Sequence, residues 1–357
     1  MKAIVLFSGG LDSLLAASIL KEQGIEVIAL NIITPFHDCS EEAARYAADL
    51  GLEFVTRTLG EDYMKMVASP CWGYGKSVNP CIDCRICMCK EAAALMAETG
   101  AEFVATGEIV GQRPNSQKMH QLSLITRESG LGDRLLRPLC AKTLPPTQAE
   151  IDGLIDRERF YSFTGRHRTS LIALARSKYG IKPIPQPSTG CLLCEQSFEP
   201  RIRDLLRYKS IPTRWDAAVL TMGRQIRVDS QTKCVVGRRQ SDCEALETAF
   251  AREDRSPSVL LLPLNFQGPA TLLINDLAPE ATDKNASLDS LATNESDALP
   301  SLRQLIDLTG AFVLHFTRED KYTRLDDSPR VRLGLGANWF ELTVKPDETV
   351  SRYRIIE

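Results

Sequence analysis

Two groups of residues in this 357-residue chain have types and spacing suited to chemistry. The first is Ser8-Gly9-Gly10-Leu11-Asp12-Ser13, set between the apolar run 3–7 and the apolar-periodic run 14–20. Strand, glycine turn and helix in that order offer backbone N–H groups and a helix N-terminus to a phosphate. Gly9 and Gly10 permit a sharp turn and close approach, Ser8 and Ser13 add hydroxyls, and Asp12 is the candidate for orienting a metal ion or phosphate. The G-x-x-x-x-G-K-[ST] spacing and its lysine are absent, so this is a nucleotide loop of another kind. The second group is Cys81-Ile-Asp-Cys84-Arg-Ile-Cys87-Met-Cys89, with Cys191-Leu-Leu-Cys194 far along the chain. Two C-x2-C pairs suit zinc or an iron–sulfur cluster by residue type, or thiolate chemistry on sulfur. Pro80 favours a helix start, where the helix dipole and Arg85 would lower the pKa of Cys81 or Cys84. Cys81 and Cys84, three apart, face one way, whereas Cys87 and Cys89 diverge. Cys39, Cys71, Cys140, Cys234 and Cys243 are isolated and read as small buried residues. His37, His120, His167 and His315 have no ligand spacing.

An anion-binding turn needs a strand behind it and a helix ahead. Residues 25–33 read as a buried strand, 41–50 as a helix, 53–58 as a short strand, 90–97 as a helix and 102–106 as a strand entering Thr106-Gly107-Glu108. This alternation predicts an α/β, doubly wound parallel sheet. Ligands of such sheets lie beyond the carboxyl ends of the strands, where the glycine turn and Leu30-Asn31 fall. Residues 147–179 look helical with a break near 163–165, and the prolines at 183, 185 and 187 stop any helix. We therefore expect a first domain over 1–196 and a smaller α+β domain over 199–357, interrupted by a polar linker at about 276–300. Within the second domain, 202–209 reads as a basic helix, 218–236 as strands, and 312–316 and 339–344 as strands.

Apolar residues at 43% with charged residues at 25% set disorder aside, and no apolar run reaches bilayer length. The start passes from Met1-Lys2-Ala3-Ile4 into a strand with no cleavage pattern, so a cytoplasmic protein without membrane attachment is expected. In that compartment eleven cysteines favour metal or sulfur chemistry over disulfides. The net charge of −3 conceals a basic stretch. Arg201, Arg203, Arg207, Lys209, Arg214, Arg224, Arg227, Lys233, Arg238 and Arg239 face only Asp204, Asp216 and Asp229, a candidate phosphate-backbone footprint. Arg201, Arg203, Arg207, Lys209, Arg238 and Arg239 are the expected RNA contacts.

Ser8-Gly9-Gly10-Leu11-Asp12-Ser13 resembles the PP-loop of N-type ATP pyrophosphatases, which grips the terminal phosphates and leaves the α-phosphate open to attack. Thr106-Gly107-Glu108-Ile-Val-Gly111-Gln112, the nearby Ser116-Gln117 and Leu136-Arg137-Pro138-Leu139 resemble the nucleotide domain of bacterial tRNA 4-thiouridine synthases. Asn79-Pro80-Cys81 and Ser188-Thr189-Gly190 before Cys191 are similar to segments around the two reactive cysteines of tRNA 2-thiouridylases. The resemblance covers roughly residues 1–194. It implies an adenine nucleotide alpha hydrolase-like fold with ATP and Mg2+ at Ser8, Gly9, Gly10, Asp12, Ser13, Leu30, Asn31, Thr106 and Gly107. It also implies adenylation of a uridine carbonyl in tRNA, release of pyrophosphate, and replacement of oxygen by sulfur to give 4-thiouridine.

Two departures from the family bear on the remaining residues. No RNA-reading THUMP region precedes the loop in this sequence, which turns attention to the basic stretch; Cys234-Val-Val-Gly237-Arg238 with Leu246 resembles the RNA-binding module of NFACT proteins. The crowded cysteines resemble iron–sulfur-dependent thiouridine synthases that hold a [4Fe-4S] cluster on three cysteines. Asp12, Cys81, Cys84, Cys191 and Cys194 are thus the expected catalytic set. The same four cysteines are the expected metal ligands, with Zn2+ or a metal-free persulfide as alternatives. Cys81, Cys84 and at least one of Cys191 and Cys194 should converge beside the glycine loop. The sulfur donor is expected to be a cysteine desulfurase or free sulfide. An ATP pyrophosphatase acting on a small molecule, and a zinc-stabilised nucleotide- and RNA-binding protein without turnover, stay open as other readings.

Overall fold

Four successive apolar residues, Ala3-Ile4-Val5-Leu6, leave the first strand no polar face, and such a strand must be covered on both sides. In the computed structural model, which describes residues 1–186, 190–287, 300–317 and 328–356, it is β1 (Lys2–Leu6) at the centre of a five-stranded sheet. The chain divides into two units, 1–195 and 196–357. Ser188, Thr189 and 288–299 of the expected linker lie outside the described residues.

The first unit runs β1, α1 (Leu11–Glu22), β2 (Glu26–Ile33), α2 (Ser40–Asp49), β3 (Glu53–Thr58), α3 (Glu61–Ala68), α4 (Cys81–Thr99), β4 (Phe103–Thr106), α5 (Met119–Glu128), β5 (Leu135–Leu136), α6 (Gln148–Ile151) and α7 (Thr169–Ser177). Its strands lie in the order β3-β2-β1-β4-β5, and every pair is parallel. The doubly wound α/β sheet foreseen from the alternation is therefore the fold. Strand order reverses between β1 and β4, so the crevice of the sheet opens where Ser8 to Ser13 leave β1 and Thr106-Gly107-Glu108 leave β4. The helix of residues 90–97 begins earlier than expected, at Cys81, with Pro80 as its N-cap, and the C-terminal Gly100 adopts φ +69°. Between 147 and 179 only α6 and α7 are helical.

The second unit comprises α8 (Glu199–Tyr208), α9 (Arg214–Leu220), β6 (Arg224–Arg227), β7 (Lys233–Val236), α10 (Gln240–Phe250), β8 (Ser258–Pro263), β9 (Thr271–Ile274), α11 (Leu302–His315), β10 (Arg330–Leu335), β11 (Asn338–Thr343) and β12 (Ile355–Ile356). Seven strands form an antiparallel sheet in the order β11-β10-β8-β9-β7-β6-β12. Alternation sorts its residues: Cys234, Val236, Val259, Leu261 and Leu273 pack with Leu305, Ile306, Phe312 and Val313 of α11. Val235, Leu260 and Leu272, one step along, pack with Trp215 and Val219 of α9 and Leu246 and Phe250 of α10. Both faces of the sheet are thus covered. The strand expected at 312–316 is instead the end of α11, where Leu302, Leu305, Ile306, Thr309, Phe312 and Val313 follow the helical period and Ser301 caps the start. Residues 218–220, expected in a strand, close α9.

Candidate functional site

The glycine loop is shaped by contacts only glycine allows. Gly9 has φ +70°, and a Cβ there would lie 3.0 Å from Ala43 Cα of α2. Gly10 is the N-cap of α1 with no side-chain cap on the helix, so the first N–H groups of α1 face the crevice without a side-chain acceptor. Ser13 Oγ donates to Gly10 O at 2.8 Å, and Ser8 Oγ accepts from Gly10 N at 3.4 Å. Gly107, after β4, seals the other wall. A Cβ on it would lie 2.5 Å from the Asp12 carbonyl carbon and oxygen and 2.7 Å from Ser13 N. The glycine of the T-G-E stretch is therefore the surface against which the phosphate loop is pressed.

Asp12 accepts from Gln112 Nε2 at 3.0 Å through Oδ2, while its Oδ1 is buried with no hydrogen-bond partner. Burial raises its pKa, opposed by the Gln112 hydrogen bond and by the charges of Arg168 and Arg113. A buried carboxylate oxygen without a donor beside an uncapped helix start suits a hard cation bridging to phosphate. Asn31 is 1% exposed. Its amide donates to Phe7 O at 2.9 Å and to Cys39 Sγ at 3.3 Å, so it braces the exit of β1; neighbouring Leu30 is wholly buried. Thr106 Oγ1 bonds Glu108 Oε2 at 3.1 Å.

Glu108 and Arg137 join the T-G-E and L-R-P-L stretches. Arg137 Nε donates to Glu108 Oε2 at 3.0 Å with both side chains under 5% exposed, and Arg85 of α4 lies 3.8 Å from the other oxygen. Burial pushes the Glu108 carboxyl up, but Arg137 and Arg85 hold it below its ordinary value. Arg137 also donates to Thr126 Oγ1 and Leu122 O of α5. The pair is thus structural, and through Arg85 it reaches the cysteine helix.

The two C-x2-C pairs meet. Asn79 Nδ2 lies 3.3 Å from Cys81 Sγ and 3.8 Å from Cys194 Sγ, so the sequence distance of more than a hundred residues closes across one amide. Cys81 and Cys191 both hydrogen-bond to Cys194, whose pKa is lowered by those bonds, by Asn79 and by the charge of Arg113. The partners move the opposite way: Cys81 and Cys191 are raised, first by donating to Cys194 and then by burial. Cys194, which is solvent-exposed, is thus the thiolate of the group, and Cys81 and Cys191 are thiols pointed at it. Cys84 is raised by burial and sits 3.4 Å from the Tyr63 hydroxyl. Cys87 is pushed up to about 11 and Cys89 to about 12, in both cases by burial.

The expected metal set of Cys81, Cys84, Cys191 and Cys194 needs correcting in arrangement. Sulfur donors suit zinc or iron by type, yet among the described residues no three His, Cys, Asp or Glu side chains are grouped to hold a metal ion. The physical reason is the pairing just described: Cys81 and Cys191 turn their thiols onto Cys194, while Cys84 turns to Tyr63.

Several contributors escaped the sequence reading. Arg113 is exposed and acts on Asp12 and Cys194 alike; its place inside the G-Q-R stretch was the available signal. His37 Nδ1 lies 2.7 Å from Gly190 O, and Leu192 N donates to Phe36 O at 3.0 Å, so residues 36–37 fasten the segment that carries Cys191. A hydrogen bond to Cys39 raises the His37 pKa. Tyr63, Arg168 and His37 had no local signature, because their roles arise from tertiary contact alone.

The basic residues of the second unit are largely engaged within it. Arg203 pairs with Glu199, Lys209 with Asp216 and Ser256, and Arg238 with Asp242. Arg201 Nη1 donates to Leu220 O at 2.9 Å, and the Arg207 guanidinium lies over the Tyr208 ring. Arg227 and Lys233 share Asp204. Arg239 is the N-cap residue of α10 and makes no side-chain cap.

Residues 1–143 match the family model described as thiamine biosynthesis protein (ThiI), and the first unit accordingly carries a PP-loop domain of the thiouridine synthase type. Among curated proteins, the tRNA-specific 2-thiouridylase MnmA of Syntrophomonas wolfei is 36% identical over 114 residues, covering 30% of this chain and 33% of the relative. The MnmA of Sulfurimonas denitrificans is 36% identical over 118 residues, covering 30% and 35%. The chain therefore spans about a third of the length of these relatives. A solved 4-thiouridine synthetase–RNA complex with bound ATP aligns at TM-score 0.35 with 20% identity, over 61% of this chain and 52% of that one. Among the described residues no helix is long and apolar enough to cross a membrane.

Proposed function

We propose that the protein is an ATP-dependent tRNA sulfurtransferase that adenylates a uridine carbonyl, releases pyrophosphate and exchanges oxygen for sulfur, with 4-thiouridine as product. The observation that carries this reading is that Arg113 acts on both Asp12 of the glycine loop and the Cys194 thiolate, so phosphate seat and nucleophile share one electrostatic environment. The N–H groups from Gly9 to Ser13 and the dipole of α1 stabilise the departing pyrophosphate. Mg2+, held through Asp12 Oδ1, would neutralise phosphate charge when bound.

The sulfur step follows from the thiol arrangement. A persulfide formed on Cys194 by sulfane-sulfur transfer from the donor attacks the carbon bearing the adenylate through its terminal sulfur. The C–O bond breaks and AMP leaves. Cys81 or Cys191 then attacks the Cys194 sulfur, the S–S bond to the new thiouridine breaks, and a protein disulfide remains for an external thiol to reduce. No step is routed through a metal cluster. The T-G-E and G-Q spacing and the family match over 1–143 favour 4-thiouridine, whereas the curated relatives are 2-thiouridylases. The basic second unit is the proposed RNA contact, through Arg239 and the outer sides of α8 and α10.

The test is incubation with ATP, a sulfur source and unmodified tRNA, followed by nucleoside analysis. AMP and pyrophosphate formed only with tRNA, together with 4-thiouridine, support the reading. ADP and phosphate as products, or turnover independent of RNA, overturn it; 2-thiouridine overturns the choice of position alone.

A further inference from the structure

Between α3 and the cysteine helix α4 runs Cys71-Trp72-Gly73-Tyr74-Gly75-Lys76, which the proposed chemistry leaves without a task. Trp72 is 43% exposed and Tyr74 42%. Burying large aromatic rings is favourable by about 25 cal/mol per Å2 of apolar area, so two of them side by side in solvent on a well-anchored loop are notable.

The anchors are specific. Asp83, 5% exposed and lying between Cys81 and Cys84, accepts from Cys71 N at 2.9 Å and Trp72 N at 3.1 Å. The Tyr74 hydroxyl donates to Val67 O at 2.7 Å and to Ala68 O at 3.1 Å, tying it to the end of α3. Gly75 N donates to Asn79 O at 3.0 Å, and a Cβ on Gly75 would lie 2.5 Å from Asn115 Nδ2 and 2.6 Å from Asn79 Oδ1. Asn79 is the residue whose amide touches Cys81 and Cys194. The rings are therefore fixed to the same two side chains, Asp83 and Asn79, that border the reactive sulfurs.

We infer that Trp72 and Tyr74 form a stacking platform for an unpaired base of the RNA, next to the uridine presented to Cys194. This rests on the tRNA reading above. Ring faces separated by glycines and followed by Lys76, with no aliphatic residue and no acid from 71 to 77, match a base and its phosphate. A protein-docking patch would add aliphatic surroundings to exclude water from its aromatic anchors. Because modifying enzymes must draw their target out of the helical stack, a neighbouring base freed with it needs a new partner, and a ring held at the mouth of the site supplies one.

The experiment compares the full chain with Trp72→Ala, Trp72→Phe and Tyr74→Ala, measuring affinity for an unmodified tRNA transcript and for a blunt RNA duplex without unpaired bases. ATP affinity and melting temperature are measured alongside. Trp72→Ala is expected to weaken tRNA binding about tenfold, Trp72→Phe to retain most of it, and Tyr74→Ala to fall between. Duplex binding, ATP binding and melting should stay as in the parent protein, since the Asp83 anchor uses backbone N–H groups. Parent-level tRNA affinity in Trp72→Ala overturns the platform while leaving the tRNA reading intact. Equal losses for tRNA and duplex, or loss of sulfur-donor binding with tRNA affinity unchanged, also overturn it. Absence of tRNA binding by the parent protein ends the functional reading and the platform with it.

Discussion

The two units use their charged and polar groups in opposite ways. In the first, groups at the sheet crevice are left incomplete: Asp12 Oδ1 and Glu108 Oε1 are buried without hydrogen-bond partners, α1 starts without a side-chain cap, and Cys194 gathers donors around a thiolate. In the second, Asp204, Asp216 and Asp242 each answer a basic residue, and both sheet faces are packed. Buried polar groups without partners cost stability, so a fold that keeps them at one end of one sheet is carrying them for a ligand. A run of Arg and Lys in sequence, by contrast, is a weak indicator of binding until its partners are known.

The largest expected effect tests the incomplete side of this contrast. Cys194→Ala should lower thiouridine formation by about a thousandfold or more while tRNA-dependent pyrophosphate release persists. The pH dependence has a definite sign. The Cys194 pKa is lowered, so its thiolate persists as pH falls from 9 through 6 and alkylation by iodoacetamide should stay nearly flat. Cys87, pushed up to about 11, should slow about tenfold per unit over the same range. Mass mapping of alkylated peptides reads both; a Cys194 rate that falls in parallel with Cys87 would remove the assignment of nucleophile.

Next in size is Asp12→Ala, expected to cut AMP and pyrophosphate formation by about a hundredfold or more, comparable to loss of a charge-stabilising group. Circular dichroism should be unchanged, because Oδ1 supports no fold contact. Retained turnover would mean the unpartnered oxygen has no ligand. Third, Arg137→Met should destabilise the first unit by about 3–5 kcal/mol, since it strands Glu108 beside only the more distant Arg85. Glu108 has a lowered pKa, so this stabilisation is present above the unfolded carboxyl value near 4.3 and disappears as pH falls through the folded value. Denaturant melts at pH 7 and in acid should therefore converge for the two proteins. The smallest effect is predicted in the second unit, where Arg239→Ala should change stability by under about 0.5 kcal/mol and lower the salt slope of RNA binding by about one. An unchanged slope would put the contact elsewhere.

Much of the first unit was legible because its elements follow short-range rules. β1 and β2 are nearly continuous apolar runs, and Ser8 to Ser13 sits where a strand yields to a helix. The meeting of Cys81 with Cys194 followed from chemical need, since a sulfur must reach the activated carbon. Which thiol carries the charge could not be read, because it depends on Asn79, Cys191 and Arg113 arriving from three separate segments. Nor could the role of Gly107, whose missing Cβ matters only against Asp12 and Ser13. In the second unit, residues 312–316 look like strand over five positions, and only the longer period from Leu302 reveals α11. The engagement of Lys209 with Asp216 and Ser256 is likewise a tertiary fact, invisible in a charge count.

The two packed faces of the antiparallel sheet limit how the second unit can read a nucleic acid. Sheet-based RNA readers stack bases on an open strand surface; here α11 occupies one surface and α9 with α10 the other. What remains is the rim: the outer sides of the helices and the edge strands β11 and β12. Contacts made there touch the sugar–phosphate contour more readily than base edges, so such a unit would sense the shape of a folded RNA and leave the choice of nucleotide to the other half of the chain.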